Sequence, residues 1–295
     1  MQSSSSYRII FLALLFSVGL AYILIPQQNI ARQMAQLTPA AGEDVTVATH
    51  KAVYDFKMVS VESGMGINGV TGRMYFEQDD TCEAWTTDHR FVTQYQYAER
   101  PGMINTSHYV AFESKDRRQF SFNAERQENG EMTEQLRGSV ETAADGVAKA
   151  VYSRPDDLQY DLPAGYLLPT VHTMSVIRHA RTGEKFFRAV VFDGTDAEGP
   201  VEISAFIGKK VAIDEIKKIA GDNKKIDVML LTPDAWHVRM AVFPLKARDD
   251  MMPSYEMDVV MHDNGVVSYA LVDYKTFRLA QNLSALEKLP PRKCD

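Results

Sequence analysis

At 295 residues the chain is long enough to bury a sizeable core, and its net charge of −7 argues against nucleic acid, whose binding rests on Lys and Arg neutralising phosphates. Its two cysteines, Cys82 and Cys294, are too far apart for the Cys-x-x-Cys spacing of redox enzymes.

Arg8 precedes an apolar run, Ile9–Val18, and small residues follow, with Gly19 and Ala21 at the −3 and −1 places for cleavage after Ala21. This is the pattern of a secretory signal. The apolar run goes on through Ile25 to Pro26, roughly 17 residues, the lower limit for a spanning helix. Residues 1–21 are therefore a cleaved signal peptide or, if 9–25 are retained, an inner-membrane anchor. Both readings put the rest outside the cytoplasm. In that oxidising setting the two cysteines are expected to form one long-range structural disulfide. On the chain-entropy model so long a loop contributes on the order of 5 kcal/mol at most. Residues 22–46, rich in Gln, Ala and Pro, read as a flexible linker, and 47–295 as one domain.

From there the chain reads as a succession of strands. Ala52–Met58 alternates large apolar with polar residues, the period of a half-buried strand. Gly69-Val70-Thr71-Gly72 then leads into a strand at Arg73–Glu77. Further strands are expected at Cys82–Thr86, Arg90–Tyr97, Ile104–Ser114, Gln119–Arg126, Glu134–Glu141 and Val147–Tyr152. Leu168–Arg181 is the best helix candidate, with Thr170 as its cap and Gly183 as its end. Strands resume at Lys185–Asp193, Val201–Gly208, Val228–Leu231, Ala235–Pro244 and Tyr255–His262. Asn264-Gly265 marks a type I′ hairpin into Val266–Val272, because both residues accept positive φ. Tyr274–Leu279 is a last short strand, and Leu283–Leu289 a final helical turn before Pro290-Pro291. Many short strands at this spacing make the chain all-β, an antiparallel sandwich or barrel-like sheet.

Chemistry-bearing residues are sparse. His172 and His179 share one helix face but lie about 10 Å apart along the axis, too far to hold one metal ion. His50, His89, His108, His237 and His262 are scattered singly, and His262 reads as a solvated strand end. Gly64-Met65-Gly66-Ile67-Asn68-Gly69 matches Gly-x-Gly-x-x-Gly, but it lies between strands with no helix to follow, so a dinucleotide site is not expected. Asp79-Asp80, Asp156-Asp157 and Asp249-Asp250 fall in expected turns. The lysine pairs at 209–210, 217–218 and 224–225 alternate with acids and read as a solvated face. Fourteen Phe, thirteen Tyr and fourteen Met exceed what a minimal core needs, and they either fill a large core or line an apolar concavity able to hold an acyl chain.

Seven segments, in order, carry a resemblance: His50–Tyr54, Gly69–Tyr75, Thr81–Trp85, Leu168–His172, Phe192–Thr195, Tyr255–Met257 with Asp263–Val266, and Leu286–Cys294. On these residues the chain, from about 48 to 295, resembles the EipB family of cell-envelope integrity proteins. Ala84 departs from the family's usual glycine. The resemblance implies a periplasmic protein whose single large antiparallel sheet coils into a β-spiral with one or two short helices, pinned by Cys82 and Cys294. It also implies a part in envelope maintenance under stress, alongside periplasmic partners such as tetratricopeptide-repeat proteins, with no cofactor and no enzymatic activity. A non-enzymatic scaffold or binding protein is thus the expected function. A carrier or sensor of lipid or another apolar ligand is the alternative, with an envelope hydrolase behind it.

Overall fold

The computed structural model describes residues 45–143, 146–245 and 252–294; the expected signal or anchor, the linker as far as residue 44 and Asp249-Asp250 lie outside them. Fourteen strands form one antiparallel sheet. They are β1 (His50–Val61), β2 (Ile67–Asp80), β3 (Ala84–Tyr97), β4 (Met103–Ser114), β5 (Gln119–Glu128), β6 (Glu131–Thr142), β7 (Ala148–Arg154) and β8 (Gln159–Leu162). The helix α1 (Pro169–Thr182) separates these from β9 (Phe186–Val191) and β10 (Val201–Lys210). A second helix, α2 (Ile213–Ala220), and a 3-10 turn (Val228–Leu230) precede β11 (Ala235–Pro244), β12 (Tyr255–His262), β13 (Val267–Asp273) and β14 (Phe277–Lys288).

Strand order is β8-β7-β6-β5-β4-β3-β2-β1-β14-β13-β12-β11-β10-β9. Every strand pairs with its sequence neighbour, with one gap, and β1 pairs with β14 from His50↔Lys288 to Val61↔Phe277. The first and last described strands therefore lie side by side at the middle of the sheet. The edges β8 and β9 follow one another in sequence, and α1 spans the interval between them.

Alternation builds the faces, as the pleat requires. In β1, His50, Ala52, Tyr54 and Phe56 are buried, while the residues between them are partly exposed. Three clusters fill the inner side. Phe122, Tyr152 and Phe192 pack edge-to-face, with Phe122 centred 5.0 Å from Tyr152 and 5.7 Å from Phe192, and Phe120 stacks on Phe122. Val176, Ile177 and Ala180 of α1 pack on Ala205, Ile207, Trp236 and Val238. Ile216 and Ala220 of α2 pack with Tyr54, Phe56, Leu283 and Leu286.

Several expectations need correction. Gly69–Gly72 is the body of β2, not its lead-in; a Cβ on Gly72 would meet the Val92 carbonyl oxygen at 2.3 Å, so glycine there permits close approach to β3. Cys82 lies outside the strands, in the β2–β3 turn at φ 74°. The helix is capped by Leu168 with Pro169 at its first position, so Thr170 is inside it. Val228–Leu231 is not a strand, because Asp227 accepts the Met229 N–H at 3.0 Å and starts a 3-10 turn. Leu283–Leu289 is not helical; it extends β14 along β1, where tertiary pairing outweighs local propensity. The Asp263–Gly265 hairpin forms, but as a type I turn with a bulge. The Gly265 N–H donates to the His262 carbonyl at 2.9 Å, and of the loop residues only Gly265 takes positive φ, at 82°. The strand β8 and the helix α2 were not expected. Val45, assigned to the linker, is 1% exposed and belongs to the core.

Candidate functional site

The inner face of β1–β5 presents aligned rows of side chains. Register places Phe76, His89 and Tyr109 side by side across β2, β3 and β4, and His50, Gln78, Thr87 and Ala111 in the next row. His89 lies 4.8 Å from Phe76 and 5.8 Å from Tyr109, between ring centroids. Opposite stand the start of α1, the Asp193–Thr195 segment and the β12–β13 hairpin. Between them is a cavity of about 250 Å³, walled by Phe76, Phe120, Met261 and Val267 together with His50, Gln78, His89, Glu113 and Asp193.

Several polar wall residues have a structural reason. Glu113, 3% exposed, accepts the Thr170 N–H at 2.8 Å and the Val171 N–H at 3.1 Å. It thereby caps α1 from another strand, since Leu168 has no capping side chain. His50 donates from Nδ1 to the Ala48 carbonyl at 2.8 Å. The Tyr109 hydroxyl donates to the Asp193 carbonyl at 2.6 Å, and Asp193 itself accepts from the Thr195 N–H at 2.9 Å. Tyr152 holds the same segment through the Asp196 carbonyl at 2.8 Å.

Two wall groups are left over. Gln78, 7% exposed, receives the Thr87 hydroxyl on its Oε1 at 3.4 Å, but its Nε2 has no partner. Nε2 of His89 has none either. Buried polar atoms of this kind are uncommon and call for a partner from outside the fold.

Burial drives the wall toward neutrality. It lowers the pKa of His89 to about 4 and pulls His50 below its ordinary value, against the weaker effect of the Ala48 hydrogen bond. The same loss of solvation raises Glu113 and Asp193, against their hydrogen bonds from Thr170 and Thr195. The cavity is thus mainly apolar, with its ionisable groups pushed toward their neutral forms, and furnished with one amide N–H₂ and one imidazole nitrogen that have no partner.

The other sequence candidates lie elsewhere. Cys82 and Cys294 are bonded to each other, with Cα atoms 5.7 Å apart. Asp80 Oδ1 accepts the Cys82 N–H at 2.8 Å, and Arg292 forks onto Asp79 Oδ2 at 3.0 and 2.6 Å, so charge and sulfur fasten the tail together. His172 is buried against Phe187 and lowered to about 4, while His179 Nδ1 meets the Ser175 carbonyl at 2.7 Å. The structure does not bring the two together on a common ligand, and among the described residues no group of three His, Cys, Asp or Glu could hold a metal ion. His262 is not solvated: it is 0% exposed, bonded to the Thr232 carbonyl at 2.8 Å and to Ser268 Oγ at 2.9 Å. The cavity residues Gln78, His89 and Glu113 were missed. Alternation carried the signal, because His89 falls on the same side of its strand as Phe91.

The EipB-like family model matches residues 41–290. The cell envelope integrity protein EipB of Brucella abortus (strain 2308) is 30% identical over 251 residues, covering 84% of this chain and 86% of that protein. The crystal structure of a beta-barrel-like protein of domain of unknown function DUF1849 from Brucella abortus superposes with a TM-score of 0.74 at 29% identity, over 83% of this chain and 100% of that one. With a family match along nearly all the described residues and a relative 30% identical over most of both chains, this chain belongs to the EipB-like family.

Proposed function

We propose that this chain supports the integrity of the cell envelope as a non-catalytic periplasmic binding protein, and that its interior cavity takes a small, uncharged, mainly apolar ligand. The Brucella relative, named for envelope integrity, supports the setting. The observation that carries the binding role is the free Nε2 of Gln78 in an apolar, neutralised wall. An amide buried without a partner costs about 1–3 kcal/mol, which a ligand carbonyl or hydroxyl oxygen would recover. An uncharged ligand fits because wall groups of either sign are held toward their neutral forms. In the same reading the protein works as a scaffold with other periplasmic proteins, tetratricopeptide-repeat proteins among them.

The test is mass spectrometry of small molecules released from protein purified natively from its own envelope, for the parent and for Gln78→Met. A compound released from the parent and depleted in the variant is the expected result. Equal release from both, or none from either, would overturn the reading. Deleting the gene should also sensitise cells to detergents and cell-wall antibiotics.

A further inference from the structure

The excursion between β10 and β11 has two unlike sides. Ile216, Ala220, Ile226 and Leu230 point inward and are buried. Ile213 and Val228 are each 58% exposed, and Met229, at 83%, is the most exposed large apolar side chain among the described residues. Lysines flank them in sequence. Residues 209–230 hold six lysines against four acids, so the segment is positive in a chain of net charge −7. Asp214 pairs with Lys217 at 3.5 Å and Asp227 caps the 3-10 turn, whereas Lys218, Lys224 and Lys225 form no ion pair among the described residues. Lys51 of β1 joins Lys224 and Lys225 around one surface depression, which Asp227 and Glu287 also line.

This face is held in place rather than dangling. The Leu286 N–H donates to the Lys225 carbonyl at 2.9 Å, the Asp227 N–H to the Leu286 carbonyl at 2.8 Å, and Asn223 Nδ2 to the Ser284 carbonyl at 2.9 Å. Solvation accounts for the lysines, but not for Val228 and Met229 raised among them. Exposed apolar side chains with unpaired lysines near them in sequence match a membrane surface, where the former enter the headgroup–acyl boundary and the latter meet phosphates.

We propose that this face docks on an anionic phospholipid bilayer, with Val228 and Met229 in the interface and Lys218, Lys224 and Lys225 on the phosphates. Charge complementarity selects that occupant: the segment is net positive, whereas the rest of the chain is net negative. Screening over about 8 Å at physiological salt confines the attraction to side chains that touch the surface. The docking stands apart from the interior ligand, because Gln78→Met leaves this face unaltered.

The test is hydrogen exchange read by mass spectrometry on the full chain, with vesicles of phosphatidylglycerol and phosphatidylcholine or of phosphatidylcholine alone. Peptides over 213–230 should be protected by the anionic vesicles and not by the neutral ones, whatever the amino terminus does. Lys218→Glu/Lys224→Glu/Lys225→Glu should weaken vesicle partitioning about a hundredfold. Met229→Ser, at a side chain too exposed to matter for folding, should reduce the protection as well. Exchange in 213–230 that is unaffected by anionic vesicles, or slowed equally by neutral ones, or unchanged by the two variants, overturns the proposal.

Discussion

The carboxylate of Glu113, at the end of β4, accepts the backbone N–H groups of Thr170 and Val171 at the start of α1, 57 and 58 residues further along the chain. One side chain thus fixes the helix to the sheet and forms part of the cavity wall. Glu113→Ala leaves two donors without partners in a buried place and should cost about 2 kcal/mol. Urea unfolding at pH 7 measures this, and a midpoint equal to the parent's would show that the contact is not made.

Acid should weaken the fold through its buried histidines. His89 and His172 are held neutral, with pKa values lowered to about 4 against 6.5 in the unfolded chain. Their stabilising effect is complete above pH 6.5, because neither state then binds the proton. It is lost as pH falls from 6.5 toward 4, where only the unfolded chain is protonated, by at most about 3 kcal/mol for each. Unfolding followed between pH 7.5 and 4.5 should show the decline, and His172→Phe should make it shallower. Parallel curves for parent and variant would refute the assignment.

Gln78→Met offers a contrast of signs. With the cavity empty, the change removes an unpaired buried amide at similar volume and should stabilise the protein by about 1 kcal/mol. With ligand present the parent gains and the variant does not, so the order of melting temperatures should reverse. A variant less stable than the parent in both states would mean that the amide is already satisfied.

The disulfide spans a sequence separation of 212. On the chain-entropy model its loss removes up to about 5 kcal/mol. Cys82→Ser and Cys294→Ser should each lower the melting temperature of oxidised protein, and reductant should lower the parent's by as much. Melting that ignores reductant would exclude a stabilising role.

Much of the architecture was legible where one face is buried and the other is wet. Ala235–Pro244 and Tyr255–His262 were placed residue for residue, since alternation and flanking Pro or Asp agree there. The failures have different causes, one of them long-range pairing. Leu283–Lys288 looks helical alone, but β1 supplies a complete set of backbone partners for it. The turn at 228–230 starts where the Asp227 carboxylate accepts the Met229 N–H, and α2 rests on a short apolar stripe, Ile216 and Ala220, among charged residues. The cavity was legible only in part. Strand alternation sets the direction of His89 and Gln78, but register across four strands decides that they meet, and register is invisible before the sheet is assembled.

Placing the first and last strands together at the middle of the sheet has a consequence for how the chain is made. β1 lacks one of its two neighbours until β14 arrives, so a chain cut short before β14 presents a twelve-residue open edge at its centre. The same truncated chain lacks Cys294, and Cys82 is left as a lone thiol. Incomplete molecules therefore differ from complete ones in two exposed chemical features, a bare strand edge and a reactive sulfur. Both vanish together only when delivery of the chain is finished.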